Sequence, residues 1–186
     1  MNHSETGSFA WPGAPSSANS EKTMNTIAAL LIVTNLGFTA AFDTARRQPA
    51  WVAYDLEPQE VVKAVRPAVP FVADPRVPGS DMDWFYRGSG FDRGHLAPSA
   101  DFNWNTNAQR QTYFFSNVCP MRPRLNRGPW RMAEDEVRSL AASGTVHVVM
   151  WPVFGGSVTN GVPIPERFVK VAYGWFGVRT WNLPNE

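Results

Sequence analysis

A single cysteine, Cys119, stands among the 186 residues, so no intramolecular disulfide can form. Histidine is almost as scarce, at three, and a zinc site built only from Cys and His is excluded with it. Any metal must therefore be held mainly by oxygen, with at most an imidazole beside it. Charge is modest at 18%, against 44% apolar residues, which is a globular composition rather than a disordered or fibrous one. The apolar run at 27–33, IAALLIV, is far too short to span a bilayer. It suits a buried strand or short helix; a signal-peptide core starting from Met24 is the other reading. Lysine is missing altogether from 87–138, where eight arginines face five acids (+3). Residues 1–86 have six Lys/Arg against nine Asp/Glu (−3), and 139–186 three against two (+1). Five arginines and no acid lie between Arg110 and Arg131. Arginine is the better fork for phosphate oxygens, although a solvated face with local ion pairs would look the same.

The length fits one domain. Residues 1–22 are rich in Ser, Gly, Asn and Pro and read as a disordered tail, which leaves 23–186 as the folded unit. GFTAAFD and PAWVAYDL suggest a hairpin, and the proline-rich stretch at 66–83 suggests a long loop. WFYRGSGFDRGHLA reads as an aromatic strand broken by Gly88 and Gly90. A short helix suits 106–114, FFSNVCP reads as a strand stopped by Pro120, and MRPRLNRG reads as loop. Pro129 then suits the first turn of a helix over 129–143, with Gly144 as its stop. TVHVVMWPVF and the C-terminal stretch supply further strands. The fold class is α+β, with one antiparallel sheet and few helices.

The chemistry gathers in the middle of the chain. Trp130, Ala133, Val137, Leu140 and Ala141 form the apolar stripe of the expected helix, and Glu134 lies beside that stripe rather than opposite it. An inward carboxylate needs a partner. Arg138, one turn on, could supply it; a hydrated metal ion could do the same. In FDRGHLA, Asp92, Arg93, Gly94 and His95 join an acid, a phosphate-binding group, a flexible residue and a base able to accept a proton near neutral pH. Asn126, just before the helix, offers a hard amide oxygen suited to Mg²⁺. Asn117 is polar in an apolar strand and needs an internal partner, as a support for His95 or the metal shell would have. His3 and His147 have no such context.

YRGSGFDRGHLAPSADF, then SNV, then LNRGPW with its downstream glutamate resemble the DNA/RNA non-specific endonuclease family, the endonuclease G-like ββα-metal (His-Me finger) nucleases. PAWVAYDL, VPIPERFVKVAY and LPN extend the resemblance over about 37–185. It implies a central antiparallel sheet flanked by helices, and hydrolysis of phosphodiester bonds in DNA and RNA. His95 would be the general base, Asn126 the direct metal ligand, and Glu134 the holder of metal-bound water. Asn117 would support the site, with Arg93, Arg127, Arg131 and Arg138 at the phosphates. The ion would be Mg²⁺, with Mn²⁺ as a substitute. The sequence shows no clear signal peptide and leaves the location open, with the resemblance favouring a secreted or periplasmic one; an inhibitor protein or a homodimer stays open too. Three features depart from the family pattern. Met121 stands where many members have Gln. Arg66 and Arg76 are the candidates for an upstream arginine on the scissile phosphate, and neither aligns well. The chain stops at Glu186, where members usually continue. The rivals are a nucleic-acid-binding member without catalysis and a domain whose arginines pair internally.

Overall fold

A computed structural model describes residues 30–62 and 69–186, so the expected tail and Arg66 lie outside the described residues. The frame is a six-stranded antiparallel sheet in the order β1 (Leu30–Thr34), β2 (Phe38–Asp43), β3 (Gln48–Leu56), β6 (Val146–Thr159), β7 (Val162–Gly174) and β8 (Gly177–Pro184). Between β3 and β6 the chain leaves the sheet and returns to it, and the residues at the two ends, Leu56 and Val146, are register partners. Everything with site chemistry lies on this excursion. It holds α1 (Asp83–Tyr86), β4 (Asp92–His95), α2 (Thr106–Thr112), β5 (Val118–Met121), α3 (Pro123–Leu125) and α4 (Arg131–Ala141). β4 and β5 pair antiparallel as a separate two-stranded sheet, which with the helical segment after β5 makes a ββα unit.

Alternation explains which sheet face is covered. Phe38, Ala40, Val52, Tyr54, Leu56, Val148, Met150 and Phe168 point inward and meet Leu96, Met121, Trp130, Val137 and Ala141 from the excursion in one core. The expected stripe of α4 is the buried one, with Leu140 only partly covered. Burying each of these large apolar side chains contributes about 1.5–3 kcal/mol, which fixes the ββα unit against the sheet. Among the described residues no helix is long and apolar enough to cross a membrane.

Several local expectations are corrected. WFYRG is not strand: Asp83–Tyr86 is a helical turn, and the strand begins only at Asp92. β5 runs through Pro120 instead of stopping there. The Pro120 carbonyl accepts from Asn185 Nδ2 at 3.1 Å, so its N and O face away from β4 and no ladder bond is lost. MRPRLNRG is largely helical, starting at Pro123, a residue preset for a first turn. Gly128 (φ −117°, ψ −109°) then breaks this first helical segment, so Pro129 stands at the start of the helix that follows and runs on into α4, as expected. β1 is a strand, but Leu30 and Ile32 are more than half exposed, because β1 is an outer strand with one neighbour.

Arg76 is also accounted for by the fold. Its guanidinium donates to Asp74 Oδ1 and Oδ2 (both 2.9 Å), to the Thr34 carbonyl at 2.8 Å and to Asn35 Oδ1 at 2.6 Å, tying the loop to the β1–β2 turn. Burial alone would raise the Asp74 pKa, but hydrogen bonds from Arg76 and Ser116 outweigh it and hold the carboxyl below its ordinary value. A lowered folded pKa stabilises above the unfolded carboxylate range, and that contribution is lost as pH falls through the folded value. Asp74→Asn is therefore expected to lose about 2–3 kcal/mol at neutral pH. The difference from wild type should shrink in acid. Urea melts at pH 7 and pH 3 check this; a gap that stays constant with pH would contradict it.

Candidate active site

The β4–β5 pair is tight because Gly94 lies against Met121: a Cβ on Gly94 would sit 2.5 Å from the Met121 Cβ. Met121 itself is fully buried and apolar, and takes no part in the cavity described below. After His95 the ladder continues through Leu96 N–H to the Asn117 carbonyl at 2.9 Å. The buried Asn117 side chain then clamps the next residues. Its Oδ1 accepts from Ala97 N–H, and its Nδ2 donates to the Ala97 and Thr112 carbonyls, each at 2.9 Å. From the helical side, Trp130 Nε1–H donates to the His95 carbonyl at 3.0 Å. The imidazole lies in a ring trio, with Phe71 at 5.1 Å and Tyr113 edge-on at 4.8 Å.

His95 borders a cavity of about 460 Å³ whose walls include Ser99, Tyr113, Asn126, Arg127, Arg131, Glu134, Asp135 and Arg138. Asn126 is oriented by Asp92. Its Nδ2 donates to Asp92 Oδ2 at 3.0 Å, and Arg127 adds two bonds to the same carboxylate, at 2.9 and 2.7 Å. A carboxylate only accepts, so the amide must turn its NH₂ that way, which leaves Oδ1 available as a ligand. Burial opposes the Asp92 charge, but the hydrogen bonds from Arg127 and Asn126 outweigh it and hold the pKa low.

Glu134 is half-buried in the cavity wall and makes no hydrogen bond or ion pair among the described residues. Burial pushes its carboxyl up to about 7; nearby Lys170 opposes the rise and Asp101 adds to it. The alternative partner, Arg138, is engaged elsewhere: Nη1 donates to the buried Asp101 at 2.6 Å and Nη2 to Asp135. Asp101 also accepts from Tyr54 O–H at 2.6 Å. Beneath these groups Lys170 is fully buried, with Nζ 4.2 Å over the Trp130 ring.

The donor set fits a hard, largely hydrated cation. It offers one amide oxygen and one carboxylate raised by burial, and no three His, Cys, Asp or Glu gather to hold a metal among the described residues. The Asn126 amide oxygen and the Glu134 carboxyl are the donors on the cavity wall that could hold such an ion.

The structure thus brings His95, Asn126, Glu134, Arg127, Arg131 and Arg138 to one cavity and places Asn117 behind it. It does not bring Arg93 there. That guanidinium donates to Asp83 at 2.5 Å, lies over Tyr86 and Phe71 at 5.2 and 5.7 Å, and is not one of the residues lining the cavity. Arg76 is equally remote. The sequence reading missed the roles of Asp101, which lay in the quoted motif, and of Phe71 and Tyr113, which carried no local signal.

Residues 16–182 match the model of the DNA/RNA non-specific endonuclease family. The chain is 32% identical over 173 residues to the mitochondrial endonuclease G of Bos taurus, covering 80% of this chain and 57% of that protein. Against the mitochondrial endonuclease G of Homo sapiens it is 39% identical over 120 residues, covering 54% and 40%. It therefore spans about half the length of these relatives. Among solved structures, the crystal structure of the EndoG/EndoGI complex superposes with a TM-score of 0.75 at 23% identity, over 83% of this chain and 74% of that one. This likeness shows the same ββα-metal fold.

Proposed function

The chain belongs to the DNA/RNA non-specific endonuclease family, and from that premise we propose that it hydrolyses phosphodiester bonds in both DNA and RNA in the cavity between β4 and α4. The carrying observation is that His95, Asn126 and Glu134 line one cavity, with the Asn126 amide fixed by Asp92. His95 takes the proton from the water that attacks phosphorus. The Trp130 bond holds its carbonyl, the Asn117 bonds hold Ala97 two residues on, and the ring trio limits its rotation. Arg127, Arg131 and Arg138 receive backbone phosphates, so binding is expected to be salt-dependent and weakly sequence-selective. A Mg²⁺ ion, or Mn²⁺ in its place, would stabilise charge on the phosphorane and the leaving 3′ oxygen. Attack by water requires no 2′-hydroxyl, which is why both sugars qualify.

A binding-only member of the fold is disfavoured by the intact set of base, amide and carboxylate. Supercoiled plasmid and a single-stranded RNA are expected to be degraded with Mg²⁺ and spared with EDTA. Binding without degradation in Mg²⁺ would overturn the reading in favour of that rival. An inhibitor protein is proposed as a partner on the same likeness, since the EndoG that this fold resembles is inhibited in its complex with EndoGI.

A further inference from the structure

Asp135 is a carboxylate in the wall of a cavity read as a phosphate site. It lies one residue after Glu134, is half exposed, and touches two of the three arginines there. Oδ2 accepts from Arg131 Nη1 at 3.3 Å, and Oδ1 accepts from Arg138 Nη2. The other terminal nitrogen of Arg138, Nη1, donates to the buried Asp101 at 2.6 Å. A phosphate approaching the cavity meets a fork whose outward edge is already on a carboxylate.

We propose that Asp135 is an affinity-setting residue: an internal stand-in for substrate phosphate, which the nucleic acid must displace from Arg131 and Arg138. The assignment rests on the nuclease reading. Asp101 keeps the Arg138 guanidinium in place when Asp135 is displaced, so the Arg131 and Arg138 arms now on Asp135 are the ones that change partner. The resident carboxylate lowers affinity for any single phosphate, and it favours release of the cut strand. It also makes binding a competition between two anions for the same donors.

The test is binding of a short fluorescent DNA duplex by anisotropy, in chelator so that nothing is cut, from about 50 to about 200 mM salt. Wild type is compared with Asp135→Asn and Glu136→Gln. The second variant removes the same charge from the next residue, which pairs with Arg179 at 3.7 Å and does not border the cavity. Asp135→Asn is expected to bind about two- to thirtyfold more tightly, the scale of one or two exposed ion pairs no longer to be broken. Its log–log salt slope should steepen by about one. Glu136→Gln should change affinity less than about twofold. With Mg²⁺ the gain should appear in KM. Equal affinities for wild type and Asp135→Asn, or equal shifts in the two variants, would overturn the assignment and leave the nuclease reading standing. If none of the three proteins bound the duplex, both would fall.

Discussion

His95→Ala is expected to reduce cleavage by at least about 10²–10⁴, the usual contribution of a positioned general base. The loss should come without loss of fold. The two interactions that fix this segment use main-chain atoms, the His95 carbonyl under Trp130 and the Ala97 amide group on Asn117, and both survive the substitution. Among what is lost are the imidazole's ring contacts with Phe71 and Tyr113, worth about 1–2 kcal/mol together. Turnover is read on plasmid at saturating Mg²⁺, and folding by thermal melt. A variant that cuts at near wild-type rate would remove His95 from the mechanism. A variant that no longer melts cooperatively would mean that the ring trio is structural first. Partial recovery with added imidazole would place the missing function at the vacated ring.

Asn126→Ala and Glu134→Gln are expected to raise the half-saturating Mg²⁺ concentration by about ten- to hundredfold, at least the loss typical of residues that only support a ligand. The melt distinguishes this from a structural effect. Had Arg138 depended on Glu134, the substitution would have left a guanidinium stranded. Arg138 is instead held by Asp101 and Asp135, and Glu134 carries a carboxyl that burial has pushed up to about 7. Metal-free Glu134→Gln should therefore melt no lower than metal-free wild type, because a charge that burial disfavours has been removed. Adding Mg²⁺ should raise the melting temperature of wild type more than that of the variant, since binding to the folded state alone stabilises it. A large drop in the metal-free variant would return Glu134 to a structural role. An unchanged Mg²⁺ titration in Asn126→Ala would place the ion elsewhere.

Periodicity made much of this legible beforehand. The β2–β3 hairpin, β6, α2 and the apolar stripe of α4 all follow from alternation or helical spacing in adjacent residues. The misreadings cluster at proline and glycine, whose meaning depends on neighbours distant in sequence. Pro120 is harmless only because its N and O face Asn185 rather than β4. Pro123 starts a helical segment inside a stretch whose Arg/Pro composition reads as loop, and Gly128 ends it before Pro129 starts the next. For the site, the D-R-G-H segment and Asn126 were legible as residue types, but their orientation was not. Whether Arg93 faces a phosphate or Asp83, and whether Arg138 joins Glu134 or Asp101, depends on side chains 10 and 37 residues away. No local pattern encodes such pairings.

The excursion that carries the site leaves and rejoins the sheet at one register pair, Leu56 and Val146. In polymer terms it is a closed loop anchored at a single point on a frame that pairs with itself on either side. The entropy of closing such a loop grows only with the logarithm of its length, about 0.6 kcal/mol for each doubling. Insertions and deletions within it therefore barely load the frame, provided the β4–β5 contact and the Trp130 anchor persist. Length variation should be resisted between Asp92 and Ala141, where the geometry of the cavity is set by contacts rather than by chain connectivity.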